Sequence, residues 1–371
     1  MQKAITKLGI DNEIINMASL SRDIRKKRLF FYLRQMLSPS FMRAKFGKIK
    51  FELLKKTLYA KKMSGVNERE RCFASFKDNF VLSEQFSSME ELSKACAKYT
   101  DVIVGSDQNW LPINIAGDYY TLNFVPEHIN KISYSTSFGV SVIPENYKER
   151  YRRFLNRIDY LSVREESGKK LIQQLTGRTP EIVCDPALLF DEVGWGEIIP
   201  SEKIIEGKYI FCYFLGGNIN HRKFVKRLKE KTGCPIAALI HMEEYYKHDN
   251  SFADLTPYNV GPFEFVNLIR HAEHVCTDSY HGTIFSILHS KNFFTFKRHD
   301  DNSKMSTNTR VYSLLDAVDI KEKYLYGNED VEKELENEID YKRVHVNLNV
   351  IRKDSLFFIR DALRLNSYTR G

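Results

Sequence analysis

The chain alternates short apolar runs with segments of helical period, and this rhythm narrows its fold more than any other property. Residues 101–104, 132–137, 160–163 and 181–184 read as the strands of the first half, with 101–104 the clearest apolar run; 209–214, 236–239, 274–277 and 293–296 read as those of the second. Continuous apolar runs suit strands buried on both faces, and strands separated by helices pair in parallel. Around 191–207 the rhythm lapses into Gly, Pro and charged residues, with Trp195 as the only large apolar anchor, which marks a domain boundary. The expected architecture is α/β: two Rossmann-like domains facing a cleft, 1–195 and 196–340, followed by a helix over 341–371. In that helix Val344, Leu348, Ile351, Ser355, Phe358, Ala362 and Leu365 recur at spacings of four and three. One buried stripe follows, and the helix is expected to cross back onto the first domain.

Open parallel sheets bind ligands at the carboxyl ends of their strands, so the residues leaving each run carry the functional reading. Ser106, Asp107 and Gln108 leave the strand at 101–104; the carboxylate can hold or deprotonate a sugar hydroxyl, and an Asx-type turn is the plain alternative. Arg164 leaves 160–163 just before Glu165 and Glu166. A guanidinium there can clamp a carboxylate or phosphate, or pair with those two glutamates. Asp185 ends 181–184, where a turn explains it. The segment from Thr277 to Gly282 is a strand-to-helix turn that puts His281 at a helix N-terminus. Unpaired N–H groups and the helix dipole favour an anion there, Gly282 lets a ligand approach the backbone, and the imidazole exchanges protons near neutral pH. Capping by Asp278 and Ser279 is the competing explanation. Arg310 opens an apolar helix after a polar stretch, 300–309, that reads as a lid.

Taken in order, VIVGSDQNW from 102, SYSTSFG from 133, LSVREESG from 161, VCDPA from 183, TDSYHG from 277 and TRVYSLL from 309 resemble the polysaccharide pyruvyl transferase family over about residues 1–365. The resemblance implies a GT-B-like arrangement. It also implies transfer of the enolpyruvyl unit of phosphoenolpyruvate to two hydroxyls of a sugar, releasing phosphate and leaving a cyclic pyruvate ketal on an exopolysaccharide or capsule precursor. On that reading His281 is the acid and Asp107 the base. Arg164, Arg310, Ser279, Tyr280, Gly282, Ser106 and Gln108 bind substrate, no cofactor or metal is needed, and the acceptor is carried on a lipid. Tyr280 stands where some members have arginine, which changes the grip on phosphate. The family also places a strand and an Asn/Gly-containing loop ahead of the opening helix, whereas here 2–8 reads as the last turns of a helix stopped at Gly9. The expectation is that the true start lies upstream or that a central strand is missing and leaves unpaired ladder groups. A nucleotide-sugar glycosyltransferase of the same architecture and a non-catalytic, membrane-associated scaffold of polysaccharide assembly are the alternatives.

Charge is distributed unevenly over the 371 residues. The chain carries +8, yet Arg22 to Lys62 holds fourteen Lys or Arg against two acids, so the remainder is acidic. Apolar residues interleave with this basic run, the composition of an amphipathic helical pair fit to rest on an anionic bilayer; a solvated face over a core edge is the other reading. Nucleic acid is not expected, because no recognition motif accompanies the charge. Six scattered cysteines without a CxxC pair read as buried thiols, with neither a disulfide frame nor a metal site. No apolar run reaches spanning length and the first residues are not a signal peptide. The expected location is the cytoplasm, at the inner face of the plasma membrane.

Overall fold

Parallel pairing runs through both halves of the chain in the computed structural model, which describes residues 1–35, 57, 63–239, 246–299 and 308–365. In the first half β1 (Ile14–Asn16) pairs with β2 (Leu82–Gln85), and β3 (Asp101–Val104) pairs with β4 (Asn130–Ser133). Bridges from Ile132 to Tyr160 and from Thr136 to Val163 tie β4 to β5 (Ser162–Val163), which pairs with β6 (Glu181–Ile182). The second half forms one sheet of order β11-β10-β9-β7-β8: β7 is Ile210–Tyr213, β8 Ile236–Ala238, β9 His274–Thr277, β10 Asn292–Phe296 and β11 Tyr324–Leu325. All of its pairings are parallel. Ile210, Phe211, Val275, Cys276, Phe293 and Phe294 are almost fully buried, as strands covered by helices on both faces require.

The connecting helices end where the chain supplies the right residues. Glu166–Thr176 stops at Gly177 and Ile219–Thr232 at Gly233, both left-handed at φ +74° and +69°, conformations glycine adopts without steric cost. The last helix, Tyr341–Ala362, crosses between the sheets as expected. At its start His345 reaches Ser290 at 2.8 Å, beside the second sheet. Farther along, Ser355 Oγ accepts from the Cys184 N–H at 2.8 Å, the Ala362 carbonyl accepts from Asn130 at 2.9 Å, and Arg364 meets Asp101 at 2.8 Å. Val344, Leu348, Phe358 and Ala362 are buried, while Ile351 and Leu365 lie at the rim.

Three elements differ from the pattern. β2 is Leu-Ser-Glu-Gln, a mostly exposed strand with no apolar run to announce it. β11 is two residues long. The helix Met63–Phe76 carries Gly65 in its interior, where a Cβ would overlap the Tyr258 ring. Five of the cysteines are buried and Cys72 is half-buried, all as free thiols. Among the described residues no helix is long and apolar enough to cross a membrane. Of the basic run, the helix Ser21–Gln35 is described; residues 36–56 and 58–62 lie outside the described residues, as do 300–307 of the expected lid.

Candidate active site

Each first-half strand that carries a functional residue ends beside the β9 turn of the second half. There the chain bends from β9 into the helix Tyr280–Leu288, with Ser279 as N-cap accepting the Gly282 N–H at 3.4 Å. Thr277 Oγ1 accepts the Ser279 N–H and donates to the Tyr213 carbonyl, fixing the bend to β7. Asp278 does not cap the helix; its buried carboxylate accepts the N–H groups of Leu215 and Gly216 at 2.7 and 2.9 Å. Gly282 also departs from its expected role. Its N–H is taken by Ser279, and a Cβ there would overlap Thr277 Oγ1, so the missing side chain lets helix and strand approach rather than admitting a ligand.

His281 projects from this turn with 43% of its side chain exposed, and its Nε2 lies 3.8 Å from Asp185 Oδ2. The same oxygen accepts from Arg164 Nη1 at 2.9 Å and from Ser106 Oγ at 2.7 Å, and Oδ1 accepts the Ala187 N–H. Burial alone would raise the Asp185 pKa. The nearby imidazole and guanidinium with these hydrogen bonds outweigh it, and hold the carboxylate at about 2. Asp185, which a turn alone would explain from sequence, is therefore the hub that joins Ser106, Arg164 and His281. Its signal was the strand exit it shares with Asp107 and Arg164.

Arg164 is 1% exposed and spends its fork on carboxylates: Asp185, Asp107 at 3.2 Å and Glu165 at 3.7 Å. Glu166, the other expected partner, is not among them. Glu165 accepts from Ser137 Oγ at 2.7 Å; its burial pushes its pKa up against the pull of Arg164. Arg310 enters from the helix Asn308–Ala317 and meets Asp107 Oδ1 at 3.4 Å. Burial and the neighbouring Arg164 push its pKa down to about 10. Asp107 itself is a non-glycine residue at φ +75°, a conformation that aspartate tolerates better than most residues. Desolvation would raise its pKa, but Arg164, His281 and Arg310 hold it below the ordinary carboxylate range. Tyr280 is buried with its ring 4.4 Å from the Arg164 guanidinium and 5.7 Å from that of Arg310. Gln108 turns away from this cluster: its side chain packs on Gly139, where an added Cβ would lie 2.5 Å from Nε2. Among the described residues no group of three metal-ligating side chains occurs.

Fold and site define an α/β protein of parallel sheets with a cleft lined by two guanidiniums, an imidazole and the carboxylates between them. The chain belongs to the polysaccharide pyruvyl transferase family, whose model matches residues 1–300. It is thus a transferase of polysaccharide biosynthesis, and the family implies a sugar or polysaccharide acceptor. Among solved structures it is similar to the UDP-GlcNAc 2-epimerase of Methanocaldococcus jannaschii, at 14% identity over 74% of this chain and 80% of the other, with a TM-score of 0.45. The UDP-GlcNAc 2-epimerase of Neisseria meningitidis matches at 10% identity over 76% and 84%, TM-score 0.42. A UDP-glucosyltransferase of Polygonum tinctorium matches at 11% over 75% and 80%, TM-score 0.39. These likenesses are too distant to bear on chemistry. No curated protein matches the chain.

Proposed function

We propose that the protein moves the enolpyruvyl unit of phosphoenolpyruvate onto two hydroxyls of a sugar, forming a cyclic pyruvate ketal and releasing phosphate. The observation that carries this reading is Asp107 Oδ1, a carboxylate oxygen already placed between Arg164 and Arg310. A donor carboxylate meets the same two guanidiniums, which suit planar anions. The donor phosphate then lies toward the N-terminus of Tyr280–Leu288, where N–H groups and helix dipole favour negative charge.

The chemistry assigns the remaining roles. His281 gives a proton to the donor's methylene carbon, and a cationic centre develops at the adjacent carbon. One sugar hydroxyl adds there, the carbon–oxygen bond to phosphate breaks, and the second hydroxyl closes the ketal. Of the two hydroxyl protons, one balances the new methyl group and the other leaves with phosphate. Asp185, with Oδ2 3.8 Å from Nε2, orients the imidazole toward the cleft. Asp107, ionised and half-exposed, holds an acceptor hydroxyl; its low pKa makes it a weak base and a good hydrogen-bond acceptor. The acceptor is a lipid-carried sugar, and the basic run 22–62 brings the protein to the anionic membrane that carries it.

Phosphate release from phosphoenolpyruvate, measured across a panel of lipid-linked sugars, tests the reaction. Release with at least one acceptor is expected. If nucleoside diphosphates protect against heat and phosphoenolpyruvate does not, the glycosyltransferase reading replaces it.

A further inference from the structure

Three carboxylates share the Arg164 guanidinium, and they differ in what else supports them. Asp185 is buried but accepts from Ser106 and the Ala187 N–H as well as from Arg164. Asp107 keeps 58% of its side chain exposed to water. Glu165 has neither support. Its side chain is 2% exposed, and its Oε1 accepts from Ser137 Oγ at 2.7 Å. Among the described residues Oε2 has no hydrogen-bond partner, and neither has the Arg164 Nε that lies 3.7 Å from it; the two Nη atoms go to Asp185 and Asp107.

Charged and titratable groups reach Glu165 from three directions. Arg164 precedes it in the chain, Arg310 enters from Asn308–Ala317, and Tyr280 comes from the helix after β9. Burial raises the Glu165 pKa; Arg164, the Ser137 hydroxyl, Arg310 and the Phe138 backbone pull the other way. Any further anion tips this balance. With His281 protonated, three positive groups, Arg164, Arg310 and His281, face three negative ones, Asp107, Asp185 and Glu165. A donor carboxylate and phosphate add only negative charge, close to the two guanidiniums that keep Glu165 ionised.

We propose that donor binding is coupled to uptake of one proton by Glu165, so that the protein grips phosphoenolpyruvate more tightly as the pH falls. The inference rests on the donor reading above. Glu165 is a positioning residue that acts through Arg164: once protonated, it leaves the guanidinium's charge to the donor carboxylate. The proton comes from solvent and forms one O–H bond on the carboxylate, and no bond in the protein breaks. Ser137 fits both states, since its hydroxyl donates to the ion and, turned about, accepts from the acid across the same 2.7 Å. The proton settles here because an ion with neither water nor a second donor is the costliest of the three to keep. The sign follows from linkage. The donor-bound pKa of Glu165 lies above the free one, so affinity is greatest below both and weakens as pH rises through the window between them.

Titration calorimetry of the full chain with phosphoenolpyruvate, near neutral pH and without acceptor, counts the protons when run in two buffers of different ionisation enthalpy. Glu165→Gln keeps the size and the Ser137 bond but cannot take the proton. Expected for it is an uptake lower by about one proton, and a Kd that lacks the dependence of up to about tenfold per pH unit shown by the unaltered protein. An infrared difference spectrum gives a reading that needs no variant: donor binding should bring up the C=O stretch of a protonated carboxyl. Equal proton counts in the two proteins overturn the proposal, and so does a spectrum of the unaltered protein without that band. Either result, with binding observed, leaves the donor reading standing. Absence of both binding heat and any Tm rise with phosphoenolpyruvate overturns the donor reading and this inference with it.

Discussion

The ring of Tyr280 and the guanidinium of Arg164 stack across the cleft at 4.4 Å, one from the second sheet and one from the first. Arg310 faces the same ring at 5.7 Å. An arginine at position 280 would add a third cation beside these two. The tyrosine instead supplies the negative face of its ring, which offsets the burial and the repulsion from Arg164 that together depress the pKa of Arg310.

Tyr280→Phe should therefore keep the donor KM near that of the unaltered protein, because the ring face is retained. Tyr280→Leu should raise it about tenfold, the equivalent of a desolvated cation–π contact of roughly 1–2 kcal/mol. Steady-state phosphate release with phosphoenolpyruvate varied checks both; equal KM values for the two variants would remove Tyr280 from donor binding.

His281→Gln should lower kcat by about 100-fold or more, the usual scale for a lost general acid. Its half-exposed ring contributes little to packing, so the Tm should stay unchanged. Turnover at the original rate in the purified variant would reject the acid assignment.

Asp185→Asn should cost about 3 kcal/mol of stability, since it leaves the buried Arg164 with weaker partners. The pH dependence has a definite sign. The folded pKa of about 2 lies below the unfolded value near ~3.9, so the contribution is complete above ~3.9 and is lost as pH falls toward 2. Urea unfolding of both proteins across that window should show their difference shrinking as acid is added.

His221 gives a second acid-sensitive element in a different window. Its ring is fully buried, stacked on Phe296 at 4.8 Å, and burial together with Arg222 and Arg298 holds its pKa at about 3. The unfolded chain takes the proton first, near ~6.5, so stability is complete above that pH and declines as pH falls toward 3, by up to about 1.4 kcal/mol per pH unit. The acid limb of His221→Leu should be correspondingly flatter between pH 6 and 4 than that of the unaltered protein; identical slopes would show that the ring is not the titrating group.

Gly282→Ala should destabilise by about 1–3 kcal/mol, because the new methyl overlaps the buried Thr277 side chain at Oγ1. A companion Thr277→Ala change, which removes the clashing hydroxyl, should recover part of that loss in thermal unfolding. No recovery would place the strain elsewhere in the turn.

Local chemistry made much of this protein legible from its residues. Apolar runs with helical segments between them set the parallel sheets, and β3 and β9 fall at the bounds that their hydrophobic runs predict, because the apolar side chains of each run are what the core covers. Asp107, Arg164 and His281 were recognisable as candidates because each stands where a strand ends. Tertiary structure alone decided what those residues do to one another. Asp185 and Tyr280 bind the cluster together through contacts between chain segments about 20 to 115 residues apart, and no local pattern encodes such partners. The roles of Gly282 and Gln108 changed for the same reason: a side chain's neighbours in space, not along the chain, fix whether it faces ligand or packing.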